Sequence, residues 1–291
     1  MSFPMTALLK RLANALEFVK FSHTVFALPF ALIAMWTAGN GRVPWLAAMW
    51  ILVCMVAART AAMAFNRLAD WNIDKLNPRT VGRHKLVSKV GGSLMFMTAS
   101  AVFIVGAAQL NTLCFLLSPI ALFIILFYSL TKRFTAYSHF FLGLALGVAP
   151  IGAWVAIRGE VFDAVPLTLG AAVLCWVFGF DLIYSTMDME FDRKRGLFSF
   201  PAKYGVTLTM RLARTLHILA IGGFFAFGWL AGFSWIYYAA WLVAVAALVW
   251  EHRIADANNA AAVNKAFFNI NAIVSVTLLA GVFLDSSLWH K

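Results

Sequence analysis

The side chains best suited to chemistry in this sequence are two groups of carboxylates. Only 12 of its 291 residues are acidic, yet Asp70 and Asp74 follow Asn66 at four-residue spacing, and Asp188 and Asp192 repeat that spacing. Four residues advance an α-helix by about 400°, so the oxygens of each group fall on one helical face. Clustered carboxylates repel one another unless a hard cation lies between them, and the pattern predicts Mg²⁺ shared with a phosphate-bearing substrate. An ordinary solvated helix end is the alternative for either group alone.

The two acidic groups occupy matching places in the chain. Each aspartate of the second group lies 118 residues after its counterpart in the first. Both groups begin a long polar connection, 67–91 and 188–210, that continues into a basic stretch, and we expect Arg79 of the first stretch to contact the same substrate. This parallel predicts two pseudo-repeated four-helix halves plus one further helix, with the site between the halves. Transporters are also built from repeated halves, so the repeat alone does not indicate an enzyme.

Two charged residues lie inside apolar segments, where a charge is costly and needs a reason. Arg59 and Asp181 lie seven residues before the first and the second acidic group, which is two helical turns or about 10 Å deeper on the same face. We expect Arg59 to receive an anionic group of a substrate through its fork of donors. Asp181 is expected to stabilise a cation or to accept a proton. The alternative is a structural ion pair between these two side chains.

A tyrosine and two cations end the fourth apolar segment. Tyr128 and Lys132 are four residues apart on one helical face, and Arg133 follows. Beside the carboxylates these side chains fit as donors to a diphosphate, although basic residues at a membrane exit often serve as anchors. His139 has no partner at metal-ligand spacing, and we interpret it as an interfacial or packing residue.

The composition is that of a helical membrane protein. Of all residues 63% are hydrophobic and 12% are charged, and the mean hydropathy is +0.84. Residues 1–20 alternate leucines with basic residues and predict a helix that lies on the membrane surface. The class is therefore all-α, a multi-pass transmembrane bundle in a single domain over 1–291. Nine apolar runs are long enough to span a bilayer: 18–39, 45–66, 92–110, 112–131, 139–157, 165–187, 212–233, 234–250 and 266–284.

The basic residues are distributed unevenly between the two sides of the predicted bundle. The N-terminal segment and the connections after spans 2, 4, 6 and 8 hold 19 of the 23 Lys and Arg. By the positive-inside rule these regions, with both acidic groups and the cap loops 67–91 and 188–210, face the cytoplasm. We expect an integral protein of a bacterial inner membrane. The net charge of +11 then reflects topology and phosphate attraction, and nucleic-acid binding is excluded for a chain without a soluble domain.

The motifs built from these residues are similar to those of one family. They read NRLADWNID at 66–74, NPRT at 77–80, YSLTKRFT at 128–135 and DLIYSTMDMEFDRKRGLFSFP at 181–201. Together they resemble the UbiA superfamily of intramembrane prenyltransferases, and the likeness extends over roughly 20–285.

The resemblance implies a fold, a cofactor and a reaction. It implies nine transmembrane helices around a central cavity, Mg²⁺ and diphosphate at the two acidic groups, and a diphosphate contact at Lys132. Arg59 and Asp181 match inner positions associated with the aromatic acceptor and the reactive carbon. The expected activity is transfer of a polyprenyl group from polyprenyl diphosphate to a small aromatic acid in quinone biosynthesis. The expected acid is 4-hydroxybenzoate, with a hydroxynaphthoate as the alternative and a membrane transporter as the alternative from another class.

Overall fold

Helices make up the regular structure of the described chain. The computed structural model describes residues 3–19, 26–77, 80–82, 85–255, 263 and 266–288, and within these ranges it contains no strand, as predicted. Eight of the described helices are long and apolar enough to cross a membrane, and α2 is a shorter apolar helix. The helices are α1 (Phe3–Phe18), α2 (Leu28–Ala38), α3 (Trp45–Ala69), α4 (Trp71–Asp74), α5 (Lys89–Leu110), α6 (Thr112–Thr131), α7 (Ser138–Arg158), α8 (Ala164–Ser185), α9 (Met189–Arg195), α10 (Phe200–Leu230), α11 (Trp235–Ile254) and α12 (Asn271–Leu288).

The predicted helical bundle is confirmed, with differences at three places. The first predicted span, 18–39, contains only the short α2, and residues 20–25 lie outside the described part of the chain. The predicted connection 67–91 contains α4, and 188–210 contains α9 and the first turns of α10. Helix α1 covers most of 1–20, and its place at the membrane surface stays a prediction.

Helix α10 begins well before the apolar run from which it was predicted. Its first turn follows an extended Ser199 and contains Pro201, whose fixed φ suits the start of a helix. Gly205 then leaves helical geometry with φ 81° and ψ 166°, a conformation that L side chains rarely adopt. Because polar residues surround this kink, hydropathy does not identify the first part of α10 as helix.

Helix α8 lies at the centre of the bundle and packs against α7 and α10. Apolar side chains are buried on every face of this helix, as expected for one surrounded by others. Trp176 is fully buried, and its ring centroid lies 5.1 Å from that of Phe30 on α2 and 5.0 Å from that of Phe180. The core therefore holds α8, and with it Asp181, in one position.

Glycines let α7 and α8 approach each other closely. A Cβ on Gly143 would lie 2.6 Å from the carbonyl oxygen of Leu174, and one on Gly147 would lie 2.7 Å from that of Gly170. Small residues at such contacts allow backbones to touch in membrane proteins, where packing replaces the hydrophobic effect. We call Gly143, Gly147 and Gly170 the glycine interface. Because the two helices run antiparallel there, it brings the start of α7 beside the end of α8.

A buried polar cluster joins the last three long helices. Asn271 of α12 donates to Glu251 Oε1 of α11 at 2.7 Å, and Nδ1 of His217 on α10 lies 3.6 Å from Glu251 Oε2. At the opposite end of α11, Asp285 accepts a hydrogen bond from the backbone N–H of Ser234 at 2.9 Å. Polar groups buried in a bundle must be paired, so these contacts fix how the helices pack.

The glycine interface predicts a loss of stability when one of its members gains a methyl group. Gly147→Ala should lower the melting temperature of the detergent-solubilised protein, because overpacking against a backbone carbonyl costs about 1–3 kcal/mol. The matched control is Gly222→Ala on α10, where a Cβ meets no atom within 4 Å. Alanine favours a helix more than glycine does, so this control should keep or raise the melting temperature. If Gly147→Ala and Gly222→Ala had equal melting temperatures, the close approach of α7 and α8 would be contradicted.

Candidate functional site

A polar cavity of about 230 Å³ lies where α3, α6 and α8 end and α7 begins. It brings the two acidic groups together, although they are far apart in sequence. The other lining residues include Asn77, Tyr128, Lys132, His139 and Asp181. All five predicted metal ligands line it: Asn66, Asp70, Asp74, Asp188 and Asp192.

The acidic groups do not lie on continuous α-helices as their spacing suggested. Helix α3 ends at Ala69, and Asp70 leaves helical geometry with φ −90° and ψ 10° before α4 begins. The backbone N–H of Asp70 still donates to the carbonyl of Asn66 at 2.9 Å, and that of Asp74 to Asp70 at 2.8 Å. The four-residue hydrogen bonding thus survives the break and keeps the oxygens on one side. The second group has a similar break, a 3₁₀ turn at Thr186–Asp188 between α8 and α9.

Basic and amide groups partner the buried carboxylates. Lys132 Nζ lies 2.6 Å from Asp70 Oδ2, and Arg67 Nη1 lies 3.7 Å from Asp74 Oδ2. The amide of Asn77 donates to Asp188 Oδ1 at 3.2 Å. Asp70 and Asp74 are only 3% and 7% exposed, so without these partners their charge would be strongly disfavoured. Sequence reasoning assigned no role to Arg67 or Asn77, although both belong to the motifs it identified.

Among the predicted diphosphate ligands that the structure describes, Arg133 does not line the polar cavity. Arg133 donates to the carbonyl of Ala69, and its Nη2 lies 3.8 Å from Asp70 Oδ1, so it approaches the acidic group from outside. Arg79 lies outside the described residues. Lys132 and Tyr128 both line the cavity, as expected of diphosphate donors.

The donor set suits Mg²⁺ bound together with a phosphate. Among the described residues no three His, Cys, Asp or Glu side chains form a ready-made metal site. Asp70 Oδ1 is nevertheless buried without a hydrogen-bond partner in the described part of the chain. Mg²⁺ typically takes one or two carboxylates and completes its shell with water and substrate phosphate, so an incomplete protein cage is what it requires. The carboxylate and amide oxygens of this cavity therefore fit the predicted cation.

A second, apolar cavity of about 300 Å³ lies between α3, α5, α6 and α7. Arg59 lines this cavity and not the polar one, while Tyr128 and Leu142 line both. Arg59 Nε is buried and has no hydrogen-bond partner among the described residues. Arg59 therefore lies beside Tyr128 in a separate apolar cavity, and not on the face of the acidic groups as its spacing suggested.

Asp181 is paired with a histidine and not with Arg59. His139 Nδ1 lies 2.6 Å from Asp181 Oδ2, and both side chains line the polar cavity. The alternative of a structural Arg59–Asp181 ion pair is therefore wrong, and so is the interpretation of His139 as a packing residue. No spacing could have linked the two side chains, because they lie on different helices that meet at the glycine interface.

Comparisons with known proteins agree with this architecture. The apo structure of a UbiA homolog from Aeropyrum pernix K1 superposes with a TM-score of 0.81 at 32% identity, covering 90% of this chain and 98% of that one. The structure of a UbiA homolog from Archaeoglobus fulgidus bound to GPP and Mg²⁺ has a TM-score of 0.70 over 94% of this chain and 100% of its own, and at 20% identity it shows a shared fold alone.

The amino-acid sequence also matches a known family. Residues 27–273 match the UbiA prenyltransferase family, and the chain belongs to that family, which confirms the resemblance of its motifs. The mitochondrial 4-hydroxybenzoate polyprenyltransferase of Arabidopsis thaliana is 28% identical over 270 residues. That alignment covers 87% of this chain and 64% of the plant protein, so the chain spans less than two thirds of this relative's length. The protein is accordingly an integral membrane protein of the UbiA prenyltransferase family.

The site predicts that Mg²⁺ with inorganic diphosphate stabilises the protein and that the lining carboxylates are required for this effect. Asp70→Asn and Asp188→Asn should each lose most of the rise in melting temperature that this pair of ions produces in the wild type, because a ligand that binds only the folded state raises its stability. The matched control is Glu190→Gln, an exposed carboxylate two residues from Asp188 that does not line the cavity. If Glu190→Gln lost as much of the rise in melting temperature, the effect would depend on the overall charge of the protein and not on the carboxylates of the cavity.

Proposed function

We propose that this protein is a Mg²⁺-dependent polyprenyltransferase that joins the prenyl group of polyprenyl diphosphate to 4-hydroxybenzoate. The observation that carries the proposal is the contact of two unlike cavities at Tyr128, one acidic and polar, the other apolar with a single arginine. The name of the Arabidopsis relative supports the acceptor, and the GPP and Mg²⁺ bound by the Archaeoglobus protein support the donor and the metal.

The polar cavity is the proposed diphosphate site. Asn66, Asp70, Asp74, Asp188 and Asp192 would hold Mg²⁺, which neutralises negative charge on a diphosphate leaving group. Lys132 would turn from Asp70 to the diphosphate on its flexible side chain, with Mg²⁺ as the partner of Asp70 in its place. Arg79 and Arg133 are the further proposed diphosphate contacts. Donors fixed around the leaving group favour the transition state, in which its charge develops.

The apolar cavity is the proposed place of the prenyl tail and of the acceptor ring. Its lining is almost entirely aliphatic, which suits an isoprenoid chain and excludes water from an allyl cation. Arg59 can pair with the carboxylate of the acceptor through two parallel hydrogen bonds. Bound in this way, the ring lies between Arg59 and the diphosphate site, with Tyr128 beside it.

The proposed reaction breaks one C–O bond and one C–H bond and forms one C–C bond. The bond between the allylic carbon and the diphosphate oxygen breaks with both electrons on the diphosphate. The ring then forms a carbon–carbon bond from its π electrons, and loss of the ring proton restores aromaticity. The hydroxyl of 4-hydroxybenzoate makes the ring rich enough in electrons to capture an allyl cation.

We further propose that the polar cavity faces the cytoplasm of a bacterial cell, in the inner membrane. The connections between α3 and α5, α6 and α7, and α8 and α10 lie at the end of the bundle that carries the cavity. These connections are also rich in Lys and Arg. The positive-inside rule assigns such an end to the cytoplasm.

The direct test is prenylation by purified protein in detergent with Mg²⁺ and a long polyprenyl diphosphate. We expect a prenylated acid and stoichiometric diphosphate from 4-hydroxybenzoate, no product from phenol, and none after chelation of Mg²⁺. Phenol should fail because it leaves the buried Arg59 unpaired, and sites with buried donors reject analogues by large factors. Product from a hydroxynaphthoate with none from 4-hydroxybenzoate would overturn the acceptor while keeping the reaction class.

Arg59→Ala sharpens this test. It should raise the KM for 4-hydroxybenzoate by about 100-fold or more, since removing one partner of a buried ion pair costs about 3–5 kcal/mol. The KM for polyprenyl diphosphate is the internal control and should change little. Equal increases in both constants would contradict the acceptor contact and would favour a contact of Arg59 with the diphosphate.

The apolar cavity predicts a change in chain-length preference on filling it. Gly152 lines this cavity, and a Cβ there would meet no atom within 4 Å. Gly152→Leu should lower kcat/KM for a long polyprenyl diphosphate about tenfold relative to GPP, because overfilling a binding space costs about 1–3 kcal/mol. The matched control is Gly222→Leu, exposed on α10 with equally open space and outside both cavities. If the ratio of kcat/KM for the long substrate to that for GPP did not change, the prenyl tail would not bind in the apolar cavity.

A further inference from the structure

The pair formed by His139 and Asp181 is asymmetric in its exposure. The side chain of His139 is 7% exposed and that of Asp181 is 20% exposed, although both line the polar cavity. Asp181 is therefore the more accessible member of the pair, and His139 is the more enclosed one.

The hydrogen bond fixes which oxygen of Asp181 is engaged. A carboxylate oxygen can only accept a hydrogen bond. At 2.6 Å, Nδ1 of His139 therefore carries a proton and donates a hydrogen bond to Oδ2. His139 is the one hydrogen-bond partner that the described part of the chain provides for this carboxylate. Oδ1 is therefore left for a group in the cavity. Without His139, the side chain would rotate about its two χ angles and present either oxygen in many directions.

The helices make this pairing rigid. His139 lies in the first turn of α7 and Asp181 in the last turns of α8, and the glycine interface lies directly beyond them along the same two helices. His139 is 5% exposed, and its Nε2 has no hydrogen-bond partner in the described ranges. A buried nitrogen without a partner carries a free-energy cost, and the hydrogen bond between Nδ1 and Asp181 is the polar contact that offsets it.

We infer that His139 is a positioning residue that turns Asp181 Oδ1 toward the reacting carbon atoms, an inference that rests on the proposed prenyl transfer. Asp181 lies on α8, seven residues before Asp188 and about two helical turns deeper, below the proposed diphosphate site. There Oδ1 faces the positive charge that develops on the allyl group. It also receives the ring proton.

The step balances without another reactant. The C–H bond at the attacked ring carbon breaks, its electron pair returns to the ring, and the proton forms an O–H bond on Asp181 Oδ1. The hydrogen bond from His139 to Oδ2 persists through this change, because an uncharged carboxyl oxygen still accepts it. The proton leaves later to water or to the released diphosphate. Positioning a general base is worth a large part of the rate that the base provides.

Two substitutions of His139 separate positioning from other roles. His139→Ala removes the donor, whereas His139→Asn keeps an amide N–H close to the position of Nδ1 but cannot take up a proton. We expect His139→Ala to lower kcat about 100-fold with the KM for polyprenyl diphosphate within about threefold, and His139→Asn to recover at least about tenfold of that loss. In an Asp181→Asn background, His139→Ala should cause no further loss, because both changes act on the same group.

The control is a second buried histidine beside a carboxylate. His217 is 2% exposed, lies 3.6 Å from Glu251 and lines neither cavity. His217→Ala should lower the melting temperature while leaving the kcat of the folded protein unchanged.

Three results would overturn the inference. They are a normal kcat in His139→Ala, a His139→Asn protein as slow as His139→Ala, or a rise in the KM for polyprenyl diphosphate that matches the fall in kcat. The second result would identify His139 itself as the base. Failure of the proposed function differs from all three, because the wild type would then form no prenylated acid.

Discussion

Repulsion among carboxylates is the constraint around which this bundle is arranged. Asp70, Asp74, Asp181, Asp188 and Asp192 share one cavity at a membrane boundary, where the dielectric screening of bulk water is reduced. Each contact described around them, whether from a lysine, an arginine, an amide or a histidine, reduces that repulsion. The breaks at the ends of α3 and α8 fall at these carboxylates, and backbone hydrogen bonding from Asn66 to Asp74 continues across the first of them.

This arrangement also separates polar from apolar side chains. Helix α3 ends beside Asp70 of the polar cavity and lines the apolar cavity along its earlier turns, and the two cavities share Tyr128 and Leu142. A diphosphate with a long hydrocarbon tail has the same division within one molecule. The site therefore matches its proposed donor by polarity along its length as well as by individual contacts.

The sequence predicted those parts of the site that are periodic along one helix. Four-residue spacing identified Asp70 and Asp188, and hydropathy identified the helical bundle, because both patterns are local. The pairing of His139 with Asp181 depends on how two helices pack, and no spacing within either helix contains it. Arg59 lies on α3 before the first acidic group, but its side chain enters a separate cavity beside Tyr128 of α6, which spacing along α3 does not reveal. The early start of α10 was missed because Gly205 and polar residues mask it.

The glycine interface has a consequence for how the protein responds to its bilayer. Helices adapt to membranes of different thickness mainly by tilting, which ordinarily slides neighbouring helices past one another. Because backbone meets backbone between α7 and α8, these two helices have little freedom to slide and tilt as one body. The spacing between His139 and Asp181 is thereby insulated from lipid composition, while the outer helices α5 and α6 absorb the mismatch.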